Sequence, residues 1–207
     1  MATNYVFIGI QGSGKGTQAR LLEEKYDFKL FESWTALRKI AEEESELWKL
    51  VKKEIDAGNQ LEPSIIEDIM KDIIENKSWW KNAIFDWFVR NDWNKKSADK
   101  VLWDYKVVLF ELSPEKSKAR LLGRMYNPKT GETFPAGTKF DPETWDKLEK
   151  RADDNEKAIL KRIDLYIEKT MPVIEEYRKS GNLIEINADN CVEGVFNELV
   201  EKLGLKK

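Results

Sequence analysis

The sequence predicts an α/β fold: a parallel sheet with helices covering both faces. Three observations predict it. Apolar runs suited to strands recur at residues 4–8, 28–31, 83–87, 105–112 and 182–186. Stretches with helical apolar spacing fall between them, at 15–26, 34–57, 64–76, 114–123 and 143–179, with a last one at 192–203. Strands that alternate with helices run parallel, because each crossover returns the chain to the same end of the sheet. The third observation is the run over residues 5–20, YVFIGIQGSGKGTQAR, which reads as strand, glycine-rich turn, lysine, helix. That succession is the layout of a phosphate cradle.

The first strand ends at Gly9, and the loop Gly9-Ile10-Gln11-Gly12-Ser13-Gly14-Lys15-Gly16-Thr17 follows. Glycines let backbone N–H groups turn toward phosphate oxygens where a Cβ would obstruct. The helix behind adds its positive N-terminal end, and Lys15 is suited to reach β- and γ-phosphates as a point charge. After the second strand, residues 32–62 hold two amphipathic stretches, with Leu37, Ile40, Ala41, Leu47, Leu50, Val51 and Ile55 supplying the apolar spacing. The third strand ends at Asp86. A carboxylate at that edge of a parallel sheet stands beside the loop and is the candidate to orient a metal ion through water.

Beyond the fourth strand, residues 125–147 are turn-rich: Asn127-Pro128-Lys129-Thr130-Gly131, then Pro135, Gly137 and Asp141-Pro142. A segment of that length without regular structure is usually functional or mobile. Pro172 lies inside the long fifth helical pattern and predicts a kink or break there. Gly181-Asn182 reads as the turn into the last strand.

Composition narrows the chemistry. The chain has 207 residues, enough for one α/β domain with insertions, and 41% are hydrophobic, enough for a sizeable core. Thirty-five Lys and Arg against 38 Asp and Glu leave a net charge of −3, which argues against a general binder of nucleic acid or membrane surfaces. No apolar run approaches the roughly 20 residues of a membrane span, and no secretory pattern is present. The single cysteine, Cys191, forms no intrachain disulfide, and a reducing, cytoplasmic setting is expected. There is no histidine, which excludes histidine catalysis and the usual ligand set of a structural zinc.

In the loop, Gly16 stands directly after Lys15, where the general phosphate-loop pattern has Ser or Thr. Gly-Lys-Gly-Thr-Gln resembles the adenylate kinase family, within the nucleoside monophosphate kinases. The resemblance runs through the chain. Leu37-Arg38 and Ala57-Gly58 occupy stations of the family's acceptor region. Asp86-Trp87-Phe88-Val89-Arg90 stands where the family has Asp-Gly-Phe-Pro-Arg. Arg120-Leu121-Leu122-Gly123-Arg124 is similar to its approach to the lid, and residues 128–134 resemble the lid. Arg151-Ala152-Asp153-Asp154-Asn155 and Arg162 resemble the exit from it.

The resemblance implies a P-loop NTPase three-layer sandwich with a five-stranded parallel sheet in the order 2-3-1-4-5. It implies one domain over residues 1–207: a core of 1–31, 62–124 and 151–207, a monophosphate-binding insertion at 32–61, and a lid at 125–150. The activity implied is reversible transfer of the ATP γ-phosphoryl group to a nucleoside monophosphate, with Mg2+ and without zinc, by a monomer with no nucleic-acid or membrane partner. AMP is the first acceptor. A pyrimidine or deoxynucleoside monophosphate is the alternative, and a nucleotide binder with weak or no kinase activity a further one.

Site roles follow from the same resemblance. Gly12, Ser13, Gly14, Lys15, Gly16 and Thr17 would hold ATP, with Arg120, Arg124, Thr133 and Phe134. Ser33, Arg38, Asn59, Gln60, Leu61, Trp87, Phe88, Val89, Arg90 and Asn94 would hold the monophosphate. Lys15, Arg124, Arg151, Arg162 and Asp86 would serve the transfer, Arg151 and Arg162 also helping to hold the monophosphate. Phosphoryl transfer needs positioning and neutralised charge rather than a protein nucleophile, and arginine binds phosphate oxygens in pairs without losing its charge. Arg151 and Arg162 are 11 positions apart, about three helical turns, so a shared helical face is expected. Asp153 and Asp154 read as partners of lid arginines or lysines rather than metal ligands.

The acceptor side departs most from the family. Glu32-Ser33-Trp34-Thr35 stands where Ser-Thr-Gly-Asp is usual, Trp34 and Trp87 replace glycines, and Val89 replaces a proline. Asn94 stands where adenylate kinases have a base-reading glutamine and pyrimidine-specific relatives an asparagine. The chain has eight tryptophans; Trp79, Trp80, Trp93 and Trp103 are expected to pack around the third and fourth strands. The lid has no cysteines, so hydrogen bonds and packing are expected to hold it.

Overall fold

A computed structural model describes residues 4–32, 82–86, 89–102, 104–151 and 154–205. The described elements, in chain order, are β1 (Asn4–Gly9), α1 (Lys15–Tyr26), β2 (Lys29–Glu32), β3 (Ala83–Asp86), α2 (Asp92–Val101), β4 (Tyr105–Glu111), α3 (Pro114–Gly123), β5 (Met125–Tyr126), β6 (Thr133–Phe134), α4 (Glu156–Leu165), a π-helical turn (Tyr166–Thr170), α5 (Met171–Lys179), β7 (Leu183–Asn187) and α6 (Val192–Lys202). The helical stretches expected at 34–57 and 64–76 lie outside the described residues.

Five strands form one sheet in the order β2-β3-β1-β4-β7, and every neighbouring pair is parallel. This is the expected order, with β7 as the fifth strand. Alternation along each strand sends successive side chains to opposite layers. From β1 and β4, Val6, Ile8, Val107 and Leu109 face one core, shared with Val173, Ile174 and Tyr177 of α5 and Ala98 and Val101 of α2. Tyr5, Phe7, Val108 and Phe110 face the other, shared with Ala19 and Leu22 of α1 and Phe196 and Leu199 of α6. Phe7 and Phe110 meet as a tilted pair with centroids 4.9 Å apart, a geometry that adds about 1 kcal/mol beyond area burial. A smaller cluster of Ile10, Leu121, Ile159 and Ile163 joins α3 and α4 beneath the glycine loop.

The structure corrects the sequence reading in four places. Helix α2 is unannounced by apolar spacing because two of its buried residues, Asn94 and Ser97, are polar. Its start is nonetheless encoded: the Asn91 side chain accepts from the Asn94 N–H, Asp92 opens the first turn and Lys100 closes the last. Residues 125–134 contain a short antiparallel hairpin, β5 with β6, not only turns. The described residues between 143 and 155 are not helical. Trp145 takes a left-handed φ of 59°, which a helix does not tolerate, and α4 begins only after Asn155 caps the Ala158 N–H. Finally, Pro172 does not break the long helix. The chain passes through the π turn just before it, and α5 continues.

Candidate active site

Parallel strands carry their carboxyl ends to one edge of the sheet, and the site is built there. Register sets Phe7 beside Asp86 and Gly9 beside Phe110. The loop that leaves Gly9 could not hold larger residues at two points. A Cβ on Gly9 would lie 2.7 Å from the Phe110 carbonyl oxygen. Gly12 has a φ of +76°, and its Cβ would press Leu121 Cγ at 3.2 Å. The loop is gripped from behind by α3: Ser117 Oγ donates to the Gln11 carbonyl at 2.7 Å, and Arg120 Nη1 to the Gly12 carbonyl at 3.4 Å. Ser117 was not foreseen from sequence. Its signal is a buried serine one turn before Arg120 on the same helix.

Lys15 is the first residue of α1 and is only 5% exposed. Its Nζ donates to the Gly9 carbonyl at 2.8 Å, the Ile10 carbonyl at 3.1 Å and Ser13 Oγ at 3.2 Å. Burial pushes its ammonium down to about 8; Asp86 opposes that shift, while Arg90 and Arg124 add to it. Three charged groups named from sequence therefore lie within electrostatic reach of Lys15. Ser13 is buried, and Gly16 and Thr17 are partly buried in the first turn of α1.

Asp86 is 5% exposed at the end of β3. Arg90 follows β3 in the turn into α2. Its side chain reaches solvent, yet protein surrounds it closely enough for desolvation to push it down to about 10, against the pull of Asp86. It remains a cation at neutral pH. Asn94 is buried, and its Oδ1 accepts from the Arg90 N–H at 3.3 Å. Val89 is 2% exposed and belongs to the core, so its side chain does not face the cleft.

Between the end of α3 and α4, Asp154 gathers the arginines. Arg124 Nε and Nη2 donate to its two oxygens at 2.8 and 2.7 Å, and Arg162 Nη1 donates to Oδ1 at 3.1 Å. The Asp154 side chain is 4% exposed. This is the pairing expected of it with a lid arginine, and it extends to α4. Arg151 is not on a helix. Its carbonyl accepts from the Asp154 N–H at 3.0 Å, ahead of α4, so the shared helical face expected of Arg151 and Arg162 does not exist. Thr133 and Phe134 form β6 and are partly exposed.

Residues 125–150, the expected lid, are tied by polar groups. Asn127 is fully buried; its Nδ2 donates to Asp141 Oδ2 at 2.8 Å and Thr144 Oγ1 at 3.3 Å, and its Oδ1 accepts from Lys129 N at 2.9 Å. Asp141 Oδ1 accepts in turn from Glu143 N at 2.9 Å and Thr144 N at 3.2 Å. The Asn127 bond holds the Asp141 carboxyl below its ordinary range.

Ser33, Arg38, Asn59, Gln60, Leu61, Trp87 and Phe88 lie outside the described residues, as do Trp34, Trp79, Trp80, Trp103 and Asp153. Trp93 does not pack as expected and is 36% exposed.

The sequence model of the adenylate kinase family matches residues 7–182. The chain belongs to that family. It is 33% identical over 203 residues to the adenylate kinase of Azobacteroides pseudotrichonymphae, covering 97% of this chain and 96% of that one. It is 32% identical over 212 residues to the adenylate kinase of Methanothrix thermoacetophila, covering 97% and 98%. It is 30% identical to adenylate kinase 2 of Schistosoma mansoni, covering 97% and 89%. Among the described residues, no helix is long and apolar enough to cross a membrane.

Proposed function

We propose that this protein transfers the terminal phosphoryl group of ATP to AMP, giving two ADP, and runs the reverse reaction. Membership of the adenylate kinase family supports the reaction class. The carrying observation is geometric: the buried Lys15 ammonium is bonded inside the glycine loop that leaves β1, and Asp86 ends the neighbouring strand β3 at the same sheet edge. The three relatives named above are adenylate kinases, and the pyrimidine, deoxynucleotide and non-kinase readings are not favoured.

In this reading the loop N–H groups and Lys15 hold the β- and γ-phosphates, and Lys15 exchanges its carbonyl partners for phosphate oxygens. Arg124 and Arg162, held together by Asp154, present two cations toward the transferred group, with Arg151 beside them. Arg90 holds the acceptor phosphate. Such a constellation lowers the barrier by fixing the reactants and meeting charge where it develops. The lid and the acceptor-side insertion exclude water, so that phosphate rather than water attacks.

Asp86 fits magnesium. It offers hard oxygen at the mouth of the loop, and among the described residues no group of three His, Cys, Asp or Glu gathers into a protein cage. One carboxylate beside substrate phosphates suits an ion that keeps most of its waters. When bound, the ion neutralises charge on the β- and γ-phosphates. With no histidine and one cysteine in the chain, no structural zinc is proposed. A cytoplasmic monomer without nucleic-acid or membrane partners completes the reading.

The test is a coupled assay with ATP and each of AMP, CMP, UMP and the deoxynucleoside monophosphates. AMP is expected to have the highest kcat/KM. A pyrimidine nucleotide ahead of AMP, or ATP binding without transfer to any acceptor, would overturn it.

A further inference from the structure

Arg90 is fixed through its backbone, from two helices. Its N–H donates to Asn94 Oδ1 on α2 at 3.3 Å, and its carbonyl accepts from Thr170 Oγ1 at 2.7 Å. Thr170 lies 80 positions away in sequence. It is 6% exposed and ends the π turn. The two bonds use both backbone polar groups of the residue, so its Cα is held between α2 and the long helix.

The π turn explains how a threonine in a helix reaches another segment. Pro172 has no N–H, and in a regular α-helix its ring would crowd the carbonyl four residues back, at Glu168. The turn before it is widened, and the Met171 N–H reaches the Tyr166 carbonyl five residues back. A mid-helix threonine usually bonds back to its own helix. Here the hydroxyl instead meets the Arg90 carbonyl. Widened turns of this kind recur at functional sites.

The surrounding packing keeps the two supports in step. Helices α2 and α5 are braced by the Tyr105 hydroxyl, 2.5 Å from Asp99 Oδ1 and 2.9 Å from the Tyr177 hydroxyl. Lys95 of α2 pairs with Asp99 at 2.9 Å and lies 3.8 Å from Glu176 of α5. The rod that carries Thr170 also carries Arg162, eight positions earlier in α4, bound to Asp154. One helix therefore touches the donor-side arginine pair with one residue and the acceptor arginine with another.

We infer that Thr170 is a positioning residue for acceptor binding: through the Arg90 carbonyl it sets where the Arg90 guanidinium stands relative to the Arg124–Asp154–Arg162 group. The inference rests on the proposed role of Arg90.

The test pairs two substitutions with opposite losses. Thr170→Val keeps the shape and removes the hydrogen bond. Thr170→Ser keeps the bond and removes a methyl group. Both are assayed for the KM of AMP and of ATP, kcat, and thermal midpoint. Thr170→Val is expected to raise the AMP KM about threefold to tenfold, the range for one lost hydrogen bond, with the ATP KM unchanged. Thr170→Ser is expected to keep the AMP KM within about twofold of the parent even where its midpoint falls. An unchanged AMP KM in Thr170→Val would overturn the inference, as would an AMP KM that follows thermal midpoint across both variants, or an equal rise for ATP. Arg90→Ala separates the two levels. If it impairs AMP handling while Thr170→Val does not, the inference alone fails. If it leaves AMP kinetics unaltered, the role of Arg90 fails and the inference with it.

Discussion

The glycine loop and the lid are both held by hydrogen bonds, but the bonds are anchored differently. In the loop, a buried ammonium and a serine from α3 satisfy backbone carbonyls, and Ile10 and Leu121 pack beneath. The loop is thus part of the core. In residues 125–150, the segment expected to form a lid, the buried residues are Asn127, Asp141 and Leu148. Two of the three are polar and bond to each other and to the lid's own backbone. The lid carries its own framework and draws little on the core. A segment built that way can move as a body without unpacking, whereas the loop cannot shift without disturbing α3.

The sharpest break in this comparison is Lys15→Met. Removing the one ammonium bonded inside the loop is expected to cut kcat about a hundredfold to a thousandfold, the scale for losing a preorganised charge partner. Turnover in the coupled assay near the parent's would refute the role assigned to Lys15. Next is Leu121→Ala beneath Gly12. It should destabilise the whole domain by about 2–5 kcal/mol, lowering the urea midpoint of loop and core together. A loss confined to the lid would mean that α3 does not carry the loop.

The lid answers differently. Asn127→Ala removes one side-chain donor to Asp141 and the acceptor for the Lys129 N–H, a loss local to this segment. Amide exchange should quicken across residues 126–149 while β1 and β4 keep their protection. Equal loss in the core strands would show the lid is no separate body. The same bond gives a pH signature. Asp141 is held below its ordinary value of 3.8, so its contribution is complete above that value and is lost as pH falls through the lowered one. Lid protection should fall in acid before that of β1.

The smallest effect is the titration of Lys15. Its ordinary value is 10.5 and its folded value about 8. Between the two, the unfolded chain binds more protons, so folding stability rises with pH across this window. The charge needed for phosphate falls across the same window. The ATP KM is expected to climb about fivefold between pH 8 and 9, following the charged fraction, with no matching loss of stability. A flat ATP KM there would mean that Lys15 keeps its charge in the free protein.

The sites where sequence reading succeeded share a length scale. The glycine turn after β1, its lysine and the helix that follows are local patterns, in which each residue constrains a neighbour within one turn. Helix α2 was missed because its buried face presents Asn94 and Ser97, polar groups that only a partner can satisfy. The Arg151 face was misjudged because spacing was read as helical where Trp145 and the Asn155 cap delay the helix to Glu156. The eightfold use of tryptophan suggested packing, yet Trp93 and Trp145 are exposed, Trp145 at 77%.

By itself the sequence determined the alternation of strands and helices, the sheet they form and the phosphate loop, because these follow from backbone sterics, burial and short-range hydrogen bonding. The sequence expected a lid arginine or lysine for Asp154, but the tertiary structure decided that it is Arg124 and that Arg162 shares it, and it alone set Ser117 on the loop carbonyl, Asn127 on Asp141, and Thr170 on Arg90. Those pairs are 30, 8, 106, 14 and 80 positions apart in the chain. No local rule relates residues at such separations. They become neighbours only when the sheet order and the packing of α3, α4 and the π turn bring them together.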